Sequence, residues 1–334
     1  MLQWHWYHIS PLHLVLFPIS LLFLLVSSIR RQLYRYGIFS SIRLPIPVIV
    51  VGNITVGGTG KTPLTLWLAE QLLADGWHPG IISRGFGGSG SGSGSGSEPQ
   101  VVAPESDPEL VGDEPVLMAQ RNLCPIWVSR DRPAAALALL AAHPECDVII
   151  SDDGLQHYRL RRDFDIVVVD GQRRFGNGLL LPAGPMRELP SRIAKADAIV
   201  INGGTASQRE YLMQLEGINF YNLLNPEITA TVAEIKGVNI HAVAGIGHPM
   251  RFFNHLRRLG LSFTAHPYPD HHHFSEGDLE YKGANALLMT EKDAVKCRAY
   301  ADEKYWVLRV DAHLDSALTQ LIIQKITRNG SQTT

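Results

Sequence analysis

A glycine-rich run between an apolar segment and an amphipathic one constrains this sequence more than any other feature. Residues 48–52 read VIVVG, which is typical of a buried strand, and the run NITVGGTGKT follows. Glycines let backbone N–H groups surround phosphate oxygens, the lysine reaches the terminal phosphates, and the hydroxyl after it can hold Mg²⁺. We therefore predict a nucleotide phosphate site made by Thr55, Val56, Gly57, Gly58, Thr59, Gly60, Lys61 and Thr62.

The match to the pattern GxxxxGK[ST] is incomplete, because Thr55 occupies the position of its first glycine. The alternative is a glycine-rich turn whose lysine is solvated. The strand before the run and the amphipathic helix predicted at 61–74, which Pro63 helps to start, favour nucleotide binding over this alternative.

Two aspartates, Asp152 and Asp153, follow a second predicted strand at 147–151. A carboxylate at the end of a strand beside a phosphate loop resembles the Walker B element, in which it orients the metal. With Thr62, these aspartates form the predicted Mg²⁺ site, and either of them can be the nearer ligand. The alternative is an acidic turn that ends a buried strand.

The rest of the chain has the pattern of an α/β protein. Beyond Pro45, short β-branched runs alternate with amphipathic stretches, as in βαβ units around a parallel sheet. We predict a P-loop NTPase-like lobe at 45–217, with a mainly parallel sheet flanked by helices. A two-stranded connector at 218–236 leads to a second, smaller α/β lobe at 237–334.

The N-terminal segment, 1–44, is predicted to be a membrane anchor helix with a basic flank. Residues 2–29 contain no Asp, Glu, Lys or Arg, although His13 and Pro18 interrupt the run. Spanning a bilayer takes about 20 apolar residues, so a monotopic anchor, one true span and a buried core helix are the alternatives. A signal peptide fits poorly, because no early positive charge and no cleavage site are present. The remaining chain is predicted to stay in the cytoplasm because of Arg30, Arg31, Arg35 and Arg43.

Charge and cysteine content exclude several classes of protein. The chain carries 30 Lys plus Arg against 32 Asp plus Glu, whereas nucleic-acid-binding proteins usually have a basic excess. With 45% hydrophobic residues, it can bury a core and is not disordered as a whole. Three distant cysteines without a CxxC pair predict thiols in a reducing compartment rather than disulfides or a zinc site.

Seven motifs occur in order along the chain: VGNITVGGTGKTP, SRGFGG, GDEP, ISDDGLQH, LLPAGPMRE, PDHH and TEKDAVK. Together they closely resemble the tetraacyldisaccharide 4'-kinase family, the lipid A 4'-kinases of Gram-negative bacteria. The resemblance implies transfer of the γ-phosphate of ATP, with Mg²⁺, to the 4'-hydroxyl of a tetraacylated glucosamine disaccharide 1-phosphate. It also implies action at the cytoplasmic face of the inner membrane, with this lipid and the membrane surface as partners and no obligate protein partner.

The resemblance also implies a pair of residues at the acceptor hydroxyl. Asp113, in GDEP, is implied to be the base and His271, in PDHH, its partner. His272 is an alternative for the role of His271, and a helix N-cap is the alternative for Asp113. A zinc site made by the run of three histidines is disfavoured, because one loop rarely supplies the needed geometry.

The motif LLPAGPMRE ends in two charged residues that the resemblance implies at the phosphates. Arg187 is expected to contact a nucleotide or lipid phosphate, and Glu188 is expected near the metal. A plain salt bridge is the alternative. The implied catalytic residues are therefore Asp113, His271, Lys61 and Arg187.

Two further segments carry expectations of their own. Lys292 and Asp293 open a helix in the second lobe, where we predict a solvated capping pair rather than a catalytic role. Residues 87–97, at the end of SRGFGG and beyond it, read GGSGSGSGSGS, and we predict a flexible loop there. Since the family is expected to have a structured lid at this point, the run puts contacts to the adenine in doubt.

Two other functions compete with a kinase. The phosphate loop shares the core GGxGKT with the partitioning ATPases, which are membrane-associated nucleotide switches. Those proteins carry a lysine before the two glycines, and Val56 in that position counts against a switch. A binding module with a purely structural phosphate loop is disfavoured by the presence of Thr62, Asp113, Asp152 and Asp153.

Overall fold

Two β-sheets organise residues 5–8, 10–85 and 98–330, the part of the chain that a computed structural model describes. The predicted flexible loop at 87–97 lies outside the described residues. In chain order the strands are β1 (Val48–Gly52), β2 (Pro79–Ser83), β3 (Gln100–Val101), β4 (Ile126–Val128), β5 (Val148–Asp152), β6 (Phe164–Asp170), β7 (Ala198–Asn202), β8 (Tyr211–Glu216), β9 (Asn219–Asn222), β10 (Thr229–Thr231), β11 (Ile240–Ala244), β12 (Thr264–Pro267), β13 (Ala286–Thr290), β14 (Tyr305–Leu308) and β15 (Asp311–His313).

Helices cover these sheets and connect their parallel strands. In chain order they are α1 (Leu12–Arg35), α2 (Lys61–Ala74), α3 (Pro108–Val111), α4 (Asp113–Gln120), α5 (Arg132–Ala142), α6 (Val232–Ile235), α7 (Pro249–Arg258), α8 (Glu276–Leu279), α9 (Glu291–Cys297) and α10 (Ala317–Gly330). Short 3₁₀ helices occupy Pro190–Lys195 and Arg298–Tyr300.

The large sheet has the strand order β15-β8-β7-β6-β1-β5-β2-β4-β3, and all neighbours from β8 to β4 are parallel. Its central strands are buried on both faces, which explains their continuous apolar sequences. Ile49 and Val51 face a core formed with α2 and α10, whereas Val50 faces a core formed with α5. Because β1 and β5 are adjacent and parallel, the phosphate loop and the aspartate pair lie at one edge of this sheet.

The second sheet has the order β10-β9-β14-β13-β11-β12, and β11 to β14 are parallel in it. The two strands of the predicted connector, β9 and β10, pair antiparallel with each other and extend this sheet through β14.

The chain returns to the large sheet at its C-terminal end. β15 pairs with β8, and the apolar stripe of α10, Leu318, Ile322 and Ile326, is fully buried against the large core. The range 237–334, which we predicted to form one lobe, is therefore shared between the two sheets, because α10 completes the large core.

The N-terminal helix α1 projects an apolar surface away from the protein. It is long and apolar enough to cross a membrane by length and composition. Side chains such as Leu14 and Val15 are exposed, at 81% and 67%, whereas Ser20 is buried against the loop at 180–183. Just before the helix, Trp6 donates to the carbonyl of Pro182 at 3.0 Å, so the helix is docked on this loop.

Candidate active site

The phosphate loop, residues 53–60, lies between the end of β1 and the start of α2. Gly60 has a φ of +94°, in the left-handed region that favours glycine. A Cβ atom at this position would lie only 2.3 Å from Nδ2 of Asn202, so a glycine is required. The turn places Lys61 and Thr62 at the N-terminus of α2, where the helix dipole favours an anion.

Three side chains that the sequence analysis did not single out hold this loop in place. Asn202 donates to the carbonyl of Thr59 at 2.8 Å, and Arg173 donates to the carbonyl of Gly58 at 2.6 Å. Arg251, from α7 beside the second sheet, donates to Oδ1 of Asn202 at 2.8 Å. No local motif marks these residues, since they come from separate elements that only the fold brings together.

The two aspartates after β5 have different surroundings. Asp152 is 1% exposed and accepts hydrogen bonds from Thr65 at 3.2 Å and from Ser83 at 3.4 Å. Burial, together with the negative charge of Glu114, raises the pKa of Asp152 to about 6. A buried carboxylate of this kind is stabilised in its ionised form by a nearby cation.

Asp153 faces the phosphate loop. It has a φ of +45°, and its carboxylate lies 3.6 Å from Nζ of Lys61 and 3.3 Å from Arg187. Burial alone would raise the pKa of Asp153, but the charges of Lys61 and Arg187 outweigh it and lower this pKa. Two cations therefore converge on one point beside the loop, which is what a phosphate chain requires.

The segment that carries Arg187 is bonded to the phosphate loop through its backbone. The amide of Arg187 donates to the carbonyl of Ile54 at 2.6 Å, and the amide of Val56 donates to the carbonyl of Pro185 at 2.8 Å. The backbone that carries Arg187 is consequently held beside the phosphate loop.

Glu188 points to a different neighbourhood. Its carboxylate accepts hydrogen bonds from Gln156 at 2.8 Å and from Tyr158 at 2.9 Å, and lies 4.0 Å from both Arg31 of α1 and Arg192. No contact among the described residues joins Glu188 to the other predicted metal ligands. Its expected place at the metal remains a prediction, and the contacts that the structure has connect it to α1.

Asp113 and His271 meet between the two sheets. Asp113 follows Gly112, which has a φ of +99°, and begins α4, while His271 belongs to a loop after β12. Nδ1 of His271 lies 3.4 Å from Oδ2 of Asp113, and Nζ of Lys292 lies 3.7 Å from the same oxygen. His272 instead pairs with Asp278 at 3.3 Å, so His271 is the histidine that contacts Asp113.

These contacts determine the charge of the pair. Burial acts to raise the pKa of Asp113, but the hydrogen bond with His271 and the charge of Lys292 prevail and lower it to about 2. The hydrogen bond with Asp113 in turn raises the pKa of His271. Asp113 is therefore a carboxylate at neutral pH, with the Lys292 ammonium and the His271 ring as its neighbours.

The helix α9 of TEKDAVK joins the two lobes, which differs from the solvated pair that we predicted. Lys292 is only 19% exposed and binds Glu114 at 3.1 Å as well as Asp113. Asp293 is completely buried, accepts from the amide of Gly245 at 3.0 Å and pairs with Lys296 at 2.8 Å. Asp293 also forms the predicted local cap, since it exchanges hydrogen bonds with Thr290 at 2.7 and 3.2 Å. Glu114, Asp113 and Gly245 are distant in sequence, so local capping rules did not reveal those contacts.

The second lobe also approaches the phosphate loop directly. A Cβ atom added at Gly247 would lie 3.1 Å from Oδ2 of Asp270 and 3.8 Å from the amide nitrogen of Gly58. Since Asp270 precedes His271, the loop that carries His271 lies close to the phosphate loop. We call the region between the Asp113 pair and the two cations at Asp153 the cleft.

The cleft suits a nucleotide and Mg²⁺. Mg²⁺ is usually held by one or two carboxylates together with phosphate oxygens and waters. The described residues contain no group of three His, Cys, Asp or Glu side chains that could hold a metal ion without other ligands. Asp152 and Asp153 beside a phosphate loop supply the donors, and a cation bound there would favour the ionised form of Asp152, whose pKa burial raises.

Comparisons with known proteins agree on one family. A family model described as Tetraacyldisaccharide-1-P 4'-kinase matches residues 12–327. A tetraacyldisaccharide 4'-kinase of Methylobacillus flagellatus is 49% identical, over 98% of this chain and 96% of its own length. One from Azoarcus sp. is 48% identical, over 96% of this chain and 94% of its own.

A solved structure is similar as well. The crystal structure of the "apo" form of LpxK from Aquifex aeolicus in complex with ATP superposes with a TM-score of 0.76 at 28% identity. The match covers 94% of this chain and 99% of that one, so it extends over both sheets.

Proposed function

The chain belongs to the tetraacyldisaccharide-1-P 4'-kinase family, and from this premise we propose that it phosphorylates the 4'-hydroxyl of a tetraacylated glucosamine disaccharide 1-phosphate, with ATP as the donor. The observation that carries the proposal is the cleft itself. Lys61 and Arg187 converge on its phosphate side, and Asp113 with His271 faces them from the acceptor side.

On the phosphate side, Lys61, Arg187 and the amides of the phosphate loop hold the phosphates of ATP. Thr62, Asp152 and Asp153 would hold Mg²⁺, which supplies positive charge against the charge of the transferring phosphoryl group. Because Gly60 and the contacts of Asn202 fix the loop, these groups are in position before the nucleotide binds.

On the acceptor side, Asp113 receives the proton of the hydroxyl. The acceptor oxygen forms a bond to the γ-phosphorus, the bond to the β,γ-bridging oxygen breaks, and ADP leaves with that electron pair. A carboxylate with a pKa of about 2 is a weak base, but a loose transition state requires little charge on the attacking oxygen before the bond forms. Asp113 therefore acts mainly by orienting the hydroxyl, and His271 holds Asp113.

The lipid acceptor explains the helix α1. Acyl chains stay in a bilayer, so the cleft must be brought to the membrane, and α1 has an exposed apolar surface for this purpose. Its last turn and the residues beyond it carry arginines, which supports a position of the catalytic lobes at the cytoplasmic face. No protein partner is required by this arrangement.

A nucleotide switch of the partitioning type is the less favoured function. A switch does not require an acceptor-side pair such as Asp113 and His271, and the family matches favour a kinase.

The test is a phosphate-transfer assay with γ-labelled ATP, Mg²⁺ and the tetraacylated disaccharide 1-phosphate in mixed micelles. We expect label in the lipid, and a loss of kcat by a factor of about 10²–10⁴ in Asp113→Asn, with unchanged affinity for ATP. Asp75→Asn, an exposed aspartate at the end of α2, is the matched control. ATP hydrolysis without the lipid, and no labelled lipid, would instead favour the switch.

A further inference from the structure

We propose that an arginine-lined cavity at the end of α1 binds the phosphate group of a membrane lipid. The cavity has a volume of about 390 Å³ and is lined by Arg31, Arg35, Arg43, Arg161 and Arg162. Asp163 is the one acidic side chain among its lining residues. We call it the arginine cavity.

The walls of the arginine cavity are held by a short backbone pairing. The amide of Ile42 donates to the carbonyl of Arg159 at 2.7 Å, and the amide of Arg161 donates to the carbonyl of Ile42 at 2.9 Å. Ser41 adds a hydrogen bond from its hydroxyl to the carbonyl of Tyr158 at 2.9 Å. The arginines that flank this pairing therefore project from a fixed backbone rather than from a loose terminus.

Positive charge exceeds negative charge inside the cavity. Arg43 lies 3.5 Å from Asp163, Arg162 lies 3.4 Å from Asp165, and Arg31 lies 4.0 Å from Glu188. Arg35 and Arg161 form no ion pair with an acidic side chain in the described part of the chain. Guanidinium groups that converge in this way match the oxygens of a phosphate.

The position of the cavity indicates where the phosphate comes from. Arg31, Tyr34 and Arg35 belong to the last turns of α1, directly after exposed apolar side chains such as Leu25 and Ile29. In a membrane-bound protein this is the depth of the headgroups, where Tyr and Arg side chains are favoured. A phosphate that reaches this depth is carried by a lipid.

The cavity also adjoins the active site. Tyr158 in its wall donates to Glu188, which follows Arg187, and also lies five residues after Asp153 in the chain. The lipid is thus either the acceptor, bound through its 1-phosphate, or an anionic phospholipid beside it. The first source rests on the proposed function, whereas the second does not.

The test compares the double variant Arg35→Gln/Arg161→Gln with a matched double variant, Arg209→Gln/Arg258→Gln, which removes two exposed arginines elsewhere. One arm measures binding of the full chain to phosphatidylcholine vesicles with and without phosphatidylglycerol. The other measures KM for the lipid acceptor in neutral detergent micelles, with kcat and KM for ATP. We expect the cavity variant to lose about tenfold or more in one of these arms.

Each outcome of this test either assigns a ligand to the arginine cavity or overturns the proposal. A higher acceptor KM in neutral micelles, with kcat and KM for ATP retained, assigns the cavity to the 1-phosphate of the acceptor. An unchanged KM with loss of the phosphatidylglycerol-dependent binding assigns it to a phospholipid. Changes no larger than those of the control variant in both arms overturn the proposal. If the wild-type chain phosphorylates no lipid, the proposed function fails, and the vesicle arm alone decides on the cavity.

Discussion

The hydroxyl of Ser20, in the middle of α1, donates to the carbonyl of Leu180 at 2.9 Å and accepts from the amide of Ala183 at 3.1 Å. Ser20 is 3% exposed in a helix whose other residues are partly or fully exposed. The loop that it contacts continues into the segment whose backbone pairs with the phosphate loop. One buried hydroxyl therefore joins α1 to the segment that contacts the phosphate loop.

We expect Ser20→Ala to destabilise the protein by about 1–3 kcal/mol, because the Leu180 carbonyl and the Ala183 amide lose their buried partner. Thermal unfolding in detergent measures this loss, and KM for ATP should rise as the loop loosens. Ser27→Ala is the control, since the Ser27 hydroxyl bonds to the Leu24 carbonyl within the same helix. Equal unfolding temperatures for the two variants would contradict the anchoring role of Ser20.

Gly60→Ala should nearly abolish nucleotide binding. The substitution forces a side chain into a left-handed conformation, which costs about 1–2 kcal/mol, and places Cβ 2.3 Å from Nδ2 of Asn202. Either the loop or Asn202 must move, so the affinity for MgATP should fall at least about tenfold, as measured by calorimetry.

Gly58→Ala controls for the loss of a glycine as such. Nothing lies within 4 Å of a Cβ atom there, and its backbone is not left-handed. This variant should unfold at the wild-type temperature, whereas Gly60→Ala should unfold earlier. If both variants behave alike, the contact with Asn202 does not determine the loop.

Most of the large sheet follows from the sequence because its strands are buried on both faces. Such strands are continuous apolar runs, and the predicted strand 147–151 differs from β5 by one residue. The helix predicted at 61–74 has those bounds in the structure, since a glycine fixes its start. In contrast, β12 and β15 lack apolar runs and are formed by hydrogen bonds to a neighbouring strand, so they could not be predicted from their sequences.

The active site was predictable to a similar, limited extent. The phosphate loop and its aspartates carry a local pattern with a physical reason, whereas Asp113 and His271 were linked only through the family resemblance. The contact between Lys292 and Glu114 depends on how the lobes pack. A motif in one segment contains no information on which distant segment packs against it. For this reason Lys292 was expected to be solvated.

Asp152→Asn should stabilise the metal-free protein at neutral pH while it removes activity. Burial raises the pKa of Asp152 to about 6. The free energy of unfolding of the wild type therefore falls as the pH rises from about 4 to about 6. Above that range it stays lower by about 3 kcal/mol. The amide has no such penalty. The difference in unfolding temperature, measured with a chelator, should be large at pH 7.5 and small below about pH 4; a difference independent of pH would contradict the assignment.

Lys292→Gln should move the pH profile of kcat/KM to higher pH. Nζ of Lys292 lies 3.7 Å from Oδ2 of Asp113. Burial acts to raise the pKa of Asp113, but His271 and Lys292 keep it at about 2. Loss of the Lys292 charge therefore raises the pKa of Asp113 and shifts the acid limb of the kcat/KM profile to higher pH. The charge of Lys292 also opposes protonation of His271. Its removal therefore raises the pKa of His271 and shifts any alkaline limb in the same direction.

The size and direction of these shifts separate an electrostatic role of Lys292 from a structural one. Lys292 also holds Glu114 at 3.1 Å, so its loss can lower kcat simply by loosening the contact between the lobes. A structural role lowers kcat at every pH and leaves the limbs in place, whereas an electrostatic role moves both limbs upward. Lys282→Gln, an exposed lysine in the same lobe, should leave the profile unchanged. A downward shift in Lys292→Gln would contradict the charge assignment of Asp113.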